Sequence, residues 1–260
     1  MLRPCIKLVK LRFLYYIINI QAHSSIRLEQ QSHKLRVPGS SPGGPTIYFL
    51  EDEVMIRLNE SVPKEIVICV SGGADSMAAL HFLSQRRNVI AVHYNHGTPH
   101  ADEAQSLVVD YCRKNDIELI LGRLASPPPP GRSWEDYWRE NRYDFFDSVA
   151  DSIGDFPFIT CHHLDDVVET WLFTSLHGDG KLIPSKRGMY LRPFLGTRKA
   201  VLEDWCERHD VPYIQDPSND DTRFMRNYIR HELLPKALRV NPGIYKVMRK
   251  KIKNSPVILD

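Results

Sequence analysis

The 260-residue sequence has no C-x-x-C pair, and its five cysteines (Cys5, Cys69, Cys112, Cys161, Cys206) lie far apart. That spacing argues against a structural zinc site, an iron–sulfur cluster or a disulfide scaffold. It favours a reducing compartment, so a cytoplasmic protein is expected. Long apolar runs are lacking too: Phe13 to Ile18 falls well short of the ~20 residues a bilayer span takes, and no membrane partner is expected. Basic residues before that run would otherwise admit a signal peptide. Neither sign of charge prevails, with 34 Lys/Arg against 32 Asp/Glu, so the total of +2 names no partner. A G-x-x-x-x-G-K-[ST] loop, a G-x-G-x-x-G turn and internal repeats are all missing. What remains, 42% hydrophobic and 25% charged, is an ordinary globular composition.

The N-terminal stretch reads differently from the rest. Val37 to Thr46 is an uncharged Pro/Gly/Ser segment that would pass for a linker. Back-translated, Pro38-Gly39-Ser40-Ser41-Pro42-Gly43 spells CCN GGT TCG AGT CCN GGN, a self-complementary stem around the loop of a tRNA T-arm. Gln21-Ala22-His23 can pair with Gly43-Gly44-Pro45, and Ser24-Ser25 with Glu29-Gln30. Gln30 to Arg36 then closes an anticodon stem with His33 at the anticodon. Residues 1–54 are therefore expected to be a disordered, non-native extension translated from an upstream tRNA gene, with the working protein starting near Met55. Without them the balance is 27 basic against 28 acidic residues.

From Met55 the pattern is regular. Ile66 to Val70 is a continuous apolar, β-branched run, as in a strand buried on both faces. Helix is expected over Met77 to Leu83, strand over Asn88 to Asn95, helix over Ala101 to Asn115 and strand over Ile117 to Leu121. A helix opening at Ser133 runs to about Ala150, a strand covers Phe156 to Cys161, and a helix Asp165 to Leu176. Such alternation means βαβ units and an α/β fold with a Rossmann-like parallel sheet. Lys199 to His209 and Thr222 to Leu238 read as further helices. The expected organisation is a nucleotide domain at 55–195, a helical part of the same catalytic unit at 196–245, and a basic tail at 246–260.

Ser71-Gly72-Gly73-Ala74-Asp75-Ser76 falls between the first strand and its helix. Glycines at a helix N-terminus let backbone N–H groups approach and cradle an anion, and the two serines add hydroxyl donors. Cys161-His162-His163-Leu164-Asp165-Asp166-Val167-Val168-Glu169-Thr170 starts another helix at a strand end, the edge where parallel sheets bind ligands. Asp166 and Glu169 are three apart and share a helical face, so the pair could hold Mg²⁺ or an ammonium group. Between Arg223 and Lys253 there are ten Lys/Arg and one acid, Glu232, a local charge of +9 that suits a polyphosphate partner. Arg226 and Arg230 are one helical turn apart and could clamp a phosphate or base together.

The Ser71–Ser76 turn resembles the PP-loop of the N-type ATP pyrophosphatases, and the His162–Thr170 block resembles the H-H-x-x-D-x-x-E-T signature of the tRNA(Ile)-lysidine synthetase family. Further matches are Val92 to Gly97, Glu135 with Arg139-x-x-Arg142-Tyr143, Gly188-Met189 and Arg192-Pro193-Phe194-Leu195. Asp216-Pro217-Ser218-Asn219 and Arg226-Asn227-x-Ile229-Arg230-His231 complete the set, which runs from about Val67 to Gly243. The resemblance implies an ATP- and Mg²⁺-dependent ligase joining L-lysine to tRNA(Ile) with a CAU anticodon. It implies ATP binding by Ser71, Gly72, Gly73, Ala74, Asp75 and Ser76. Catalytic roles fall to Asp75, His163, Asp166 and Glu169, with Asp75 and Asp166 at the metal. Contact with tRNA or the adenylated intermediate falls to Arg142, Arg192, Arg226, Asn227 and Arg230.

Two departures from the family stand out. His177-Gly178-Asp179-Gly180 replaces the usual Arg-Gly-Ser-Gly, and the sequence ends soon after Gly243 where relatives continue into C-terminal domains, so weaker tRNA binding is expected. Another PP-loop adenylating enzyme of tRNA, or a tRNA-binding remnant without catalysis, are the alternatives. Relatives that form 2-thiocytidine depend on cysteine pairs that this sequence lacks. Nothing in the sequence fixes the oligomeric state.

Overall fold

The computed structural model describes residues 9–11, 55–215 and 222–254. A seven-stranded sheet runs in the order β1-β4-β3-β2-β5-β7-β6. Its strands are β1 (Val9–Leu11), β2 (Glu65–Cys69), β3 (Asn88–Asn95), β4 (Glu118–Arg123), β5 (Phe158–Ile159), β6 (Lys186–Arg187) and β7 (Tyr190–Leu191). The five inner strands are parallel, whereas β1 on β4 and β6 on β7 pair antiparallel at the two edges. Apart from Val9–Leu11, the segment read as translated tRNA lies outside the described residues, as do the Asp216 to Asn219 motif and the end of the basic tail.

The apolar run of β2 has the expected reason. Ile66 and Ile68 point into one core cluster and Val67 into the other, on opposite faces of the sheet, all nearly solvent-free. Helices α1 (Ala74–Ser84), α2 (Pro99–Lys114) and α5 (Lys199–Arg208) supply the first cluster, through Met77, Leu80, Leu83, Val108 and Leu202. Helix α3 (Trp134–Ile153) covers the other face with Phe145, Phe146 and Val149. It comes so close that a Cβ on Gly122 would lie 2.7 Å from the Phe145 ring, which requires glycine there.

Four local expectations are corrected. Strand β5 is only Phe158–Ile159: Pro157 has no N–H to extend it, although its carbonyl accepts from Val67 N and Thr160 N donates to Leu191 O, both at 3.0 Å. The β6–β7 hairpin was not anticipated: two-residue strands carry no readable period. The helix expected over Thr222 to Leu238 is broken into α6 (Met225–Tyr228), a π-helical turn (Ile229–Leu233) and α7 (Leu234–Val240), with Pro235 at the start of α7. The basic tail expected from residue 246 begins instead as helix α8 (Ile244–Asn254). Ile244, Tyr245 and Met248 bury its apolar stripe against α4 (Leu164–Leu176), beside Leu164, Val167 and Val168. Its lysines ride on the opposite face, the pattern of an amphipathic helix docked on a core.

Candidate nucleotide and RNA site

The loops after β2, β3 and β5 meet at the carboxyl edge of the sheet, around a cavity of about 760 Å³. A smaller cavity of about 470 Å³ lies at the other end of β3 and β4, lined by Asn88, Glu118 and neighbours. The chemistry-bearing residues gather at the first, where open parallel sheets place their ligands.

Ser71 to Ser76 form one wall. Gly72 has φ +91°, and a Cβ there would sit 3.0 Å from Ala104 Cβ, so only glycine lets the turn lie against α2. Gly73 is the N-cap of α1 without a side-chain cap; Ser76 N donates back to Gly73 O at 3.1 Å, which leaves the N–H groups of Ala74 and Asp75 uncapped at the cavity edge. Ser76 Oγ accepts from Ser71 N at 3.1 Å and donates to Gly73 O at 2.9 Å, closing the turn internally. Ser71 and Ser76 hydroxyls are 3.2 Å apart. Ala74 starts the helix with its side chain in the core. Asp75 Oδ1 is buried without a hydrogen-bond partner, and Oδ2 lies 3.6 Å from His163 Nε2.

His163 is the N-cap of α4. Asp166 N donates to its Nδ1 at 3.3 Å, and its own N–H donates to Asp166 Oδ2 at 2.9 Å, a reciprocal capping box. Burial opposes charge on this ring, but Asp166, Asp75 and Asp165 outweigh it and raise the pKa to about 9. The Asp166 N contact to Nδ1 is long, and charging the ring replaces it by attraction between Nδ1–H and the Asp166 and Asp165 carboxylates, 3.6 and 3.8 Å away. Whether the ring is charged or neutral, Nε2 carries a proton and faces Asp75. The neighbouring His162 has no such surroundings. Burial above all, with Arg192 and Arg226 acting the same way and Asp166 opposing, lowers its pKa to about 4.

Asp166 and Glu169 share one face of α4, as their spacing predicts, and both are nearly solvent-free. Their oxygens are already engaged. Arg226 donates from Nη2 to Asp166 Oδ1 at 2.6 Å and from Nε to Glu169 Oε2 at 3.2 Å. Arg230 grips Glu169 through Nε and Nη2, at 2.7 and 3.1 Å. Burial works against Asp166 ionising, but His163 and Arg226 prevail and bring its pKa to about 2. Two carboxylates and two guanidiniums thus form a neutral cluster around the π turn, a rare helix form often found at functional sites.

The anticipated residues therefore occupy two layers. Ser71, Gly72, Gly73, Asp75, Ser76, Arg142, Asp166 and Arg226 line the cavity, while His163, Glu169 and Arg230 stand behind them. Asn227 is buried beside Arg226, and Arg192 is buried with Nη1 donating to Pro184 O at 2.9 Å, outside the cavity wall. Several wall residues carried no expectation of a role. His93 donates from Nδ1 to Val70 O at 2.8 Å, which leaves Nε2 a buried acceptor without a partner. A histidine inside the otherwise apolar β3 was the available signal. Asn95 accepts from Gly97 N at 2.7 Å and donates to Asp102 and Gln105, fixing the loop that carries His96. The departure from the family at Asp179 is resolved locally, since Lys181 pairs with it at 2.6 Å.

For Mg²⁺, the two anticipated ligands differ. Asp75 offers a buried, unpartnered carboxylate oxygen beside the phosphate turn, which fits an ion held by one carboxylate and substrate phosphates. Asp166 has both oxygens committed, and among the described residues no cluster of three His, Cys, Asp or Glu could hold a metal by itself.

A parallel sheet whose strand β2 ends in a glycine-bearing turn at a helix N-terminus, facing an acidic helix start, defines a nucleotide-binding α/β protein. A family profile described as a PP-loop domain matches residues 50–237. The chain belongs to the PP-loop family, within its tRNA(Ile)-lysidine synthetase branch. It is 29% identical over 194 residues to the tRNA(Ile)-lysidine synthase of Thermotoga maritima, covering 70% of this chain and 47% of that one. The Geobacter sulfurreducens tRNA(Ile)-lysidine synthase is 34% identical over 193 residues, 68% of this chain and 41% of the relative. The chain thus spans less than half the length of these curated relatives. Among solved structures, the U34-tRNA thiolase NcsA of Methanococcus maripaludis, with its [4Fe-4S] cluster, superimposes with a TM-score of 0.59. That match covers 75% of this chain and 74% of the thiolase at 16% identity, a likeness of fold. No helix among the described residues is long and apolar enough to cross a membrane.

Proposed function

We propose that this protein uses ATP to join the ε-amine of L-lysine to C2 of the wobble cytidine in CAU-anticodon tRNA(Ile), releasing AMP and pyrophosphate. The observation that carries the reading is the convergence on one cavity of the Ser71–Ser76 turn, Asp75 and the Asp166–Arg226 edge of the buried charge cluster. In the first step the C2 carbonyl oxygen of cytidine attacks the α-phosphorus of ATP, and the bond to pyrophosphate breaks. The free N–H groups at the start of α1 receive the departing pyrophosphate, aided by the helix dipole. Asp75 would hold Mg²⁺ against the phosphates, and that ion would supply charge neutralisation. Proton-bearing Nε2 of His163 fixes the Asp75 carboxylate from behind.

In the second step the lysine amine attacks C2 and AMP leaves. An incoming ammonium group needs a carboxylate, and Asp166 and Glu169 are engaged by guanidiniums. Arg226 is the exchangeable partner: its side chain is 56% exposed and lines the cavity, against 21% for Arg230. Replacing one cation by another keeps the cluster neutral, which avoids leaving a buried charge alone. Once bound, the ammonium gives one proton to solvent in the cavity and attacks C2 as the free amine; the C2–O bond breaks with its electrons going to AMP, and the second N–H proton also leaves to solvent.

Sulfur insertion, the chemistry of a neighbouring class, finds no support in the thiols present. Burial raises Cys69 to about 12 and holds Cys161 well above the ordinary thiol value, so both cavity cysteines stay protonated. The deciding experiment supplies labelled lysine, ATP and CAU-anticodon tRNA(Ile). Label transferred to tRNA with release of AMP supports the proposal. Binding of tRNA without AMP release would make the protein a non-catalytic remnant.

A further inference from the structure

Opposite the phosphate turn, the cavity wall is aromatic. Rings succeed one another from the core to the surface: Phe145 to Tyr94 at 5.5 Å between centroids, Tyr94 to His96 at 5.2 Å, His96 to Trp138 at 5.6 Å and Trp138 to Trp134 at 5.5 Å. Trp134, Trp138 and Arg142 recur every four residues of α3, so they share one helical stripe. Trp138 and Arg142 line the cavity, and Trp134 carries the series out of it with 51% of its surface exposed.

Two polar atoms in this wall are buried without a partner among the described residues: His96 Nδ1 and Trp138 Nε1. Each such atom costs about 1–3 kcal/mol unless something bonds to it. Burial first, and then Arg142 and His93, lower the pKa of His96 to about 4, so the ring is neutral at pH 7. The wall therefore offers flat aromatic faces with a guanidinium alongside, and its two orphaned polar atoms, closed off from solvent here, come within reach of a ligand when the rings shift. That combination matches a nucleobase, which stacks by its face, bonds by its edge and brings a phosphate.

We infer that Trp138 and His96, continued by Trp134, form a stacking site for an unpaired RNA base next to the one that reacts. The inference rests on the tRNA substrate proposed above. A mononucleotide would fill only the inner rings; the extension to Trp134 beyond the cavity fits a strand whose successive bases continue outward. Glu135 and Asp136 leave the helix about 100° and 200° away from Trp134, which directs them off the stacking stripe.

The test uses the full chain and a CAU-anticodon stem-loop bearing 2-aminopurine immediately beside the wobble cytidine. Binding should quench the probe, and Trp138→Ala should abolish the quench and weaken affinity about tenfold or more. Trp138→Phe, which keeps the face and loses the N–H, should retain most of the quench with an intermediate affinity. Trp134→Ala, at an exposed position, should lose a few-fold in affinity. The ATP concentration for half-maximal pyrophosphate release should move less than twofold in all three. A raised ATP requirement with unchanged stem-loop binding would assign the wall to adenine and overturn the inference, as would unchanged quenching in both Trp138 variants. Labelled lysine added to the same stem-loop tests the proposed reaction separately: stacking without ligation would sink the reaction and leave the stacking site standing.

Discussion

Arg230 holds Glu169 by two parallel hydrogen bonds, Nε to Oε1 at 2.7 Å and Nη2 to Oε2 at 3.1 Å, in a region where Glu169 is only 2% exposed. Fork-on-fork pairing of this kind is among the stronger polar contacts in proteins, and it is costly to break from one side. Arg230→Ala is expected to lower stability by about 2–3 kcal/mol, read from the midpoint of urea unfolding. Arg226→Ala leaves Glu169 its Arg230 fork but takes the 2.6 Å donor from buried Asp166, so a smaller loss of about 1–2 kcal/mol is expected, together with a strong reduction of lysine transfer. Equal stability losses in the two variants would contradict the division of labour drawn between them.

His163 makes stability depend on pH. Its pKa rises from 6.5 to about 9 in the fold, so its contribution is complete below pH 6.5 and disappears as the pH climbs through 9. His163→Asn keeps a capping side chain and removes the titration. The thermal stability advantage of the parent protein over this variant should shrink by about 5 °C between pH 6.5 and 9.5. A constant gap across that window would show that the ring is not charged in the fold.

Asp75→Asn keeps the shape of a side chain whose Oδ1 has no partner but removes one of the carboxylates facing the buried His163 ring, so a modest loss of stability is expected. Pyrophosphate release, followed with tRNA and lysine present, should fall about 100-fold or more. Unchanged release would remove Asp75 from the phosphate site.

Gly72→Ala puts a side chain on a residue with φ +91° and 3.0 Å from Ala104 Cβ. A stability loss of about 1–3 kcal/mol is expected from strain, together with loss of ATP-dependent pyrophosphate release. Wild-type ATP use by this variant would mean that the turn does not need its observed shape.

Met248→Ala tests whether α8 belongs to the folded unit. Met248 is completely buried against α4, and its truncation should cost about 2–5 kcal/mol. A neutral effect would return this segment to the status of a loose basic tail.

The chain's local chemistry was legible wherever one residue type has one use. Gly72 and Gly73 beside serines after an apolar strand announce an anion turn, and the three-residue spacing of Asp166 and Glu169 places both on one helical face. The run Ile66 to Val70, hydrophobic at every position, announces a strand with core on both sides. Less legible were the short β6 and β7, the break at the π turn and the docking of α8. In each case neighbours far along the chain supply the stabilisation, and a local window does not contain them.

By itself, the sequence determined the alternation of strands and helices from Glu65 to Leu176, the glycine turn between β2 and α1, and the family. Only the tertiary structure decided what the charges do. Arg226 and Arg230 are some sixty residues from the carboxylates they meet, and they looked free to clamp a phosphate; folding turns them inward onto Asp166 and Glu169. His163, expected to have a catalytic role, is found as the buried N-cap of α4 with Nε2 3.6 Å from Asp75 Oδ2. Trp134 and Trp138 carry no signal of their own in the sequence; the fold sets His96 beside Trp138. The physical reason is the same throughout: burial makes an unpaired charge or N–H expensive, so its partner is chosen by position in space, which sequence spacing does not encode.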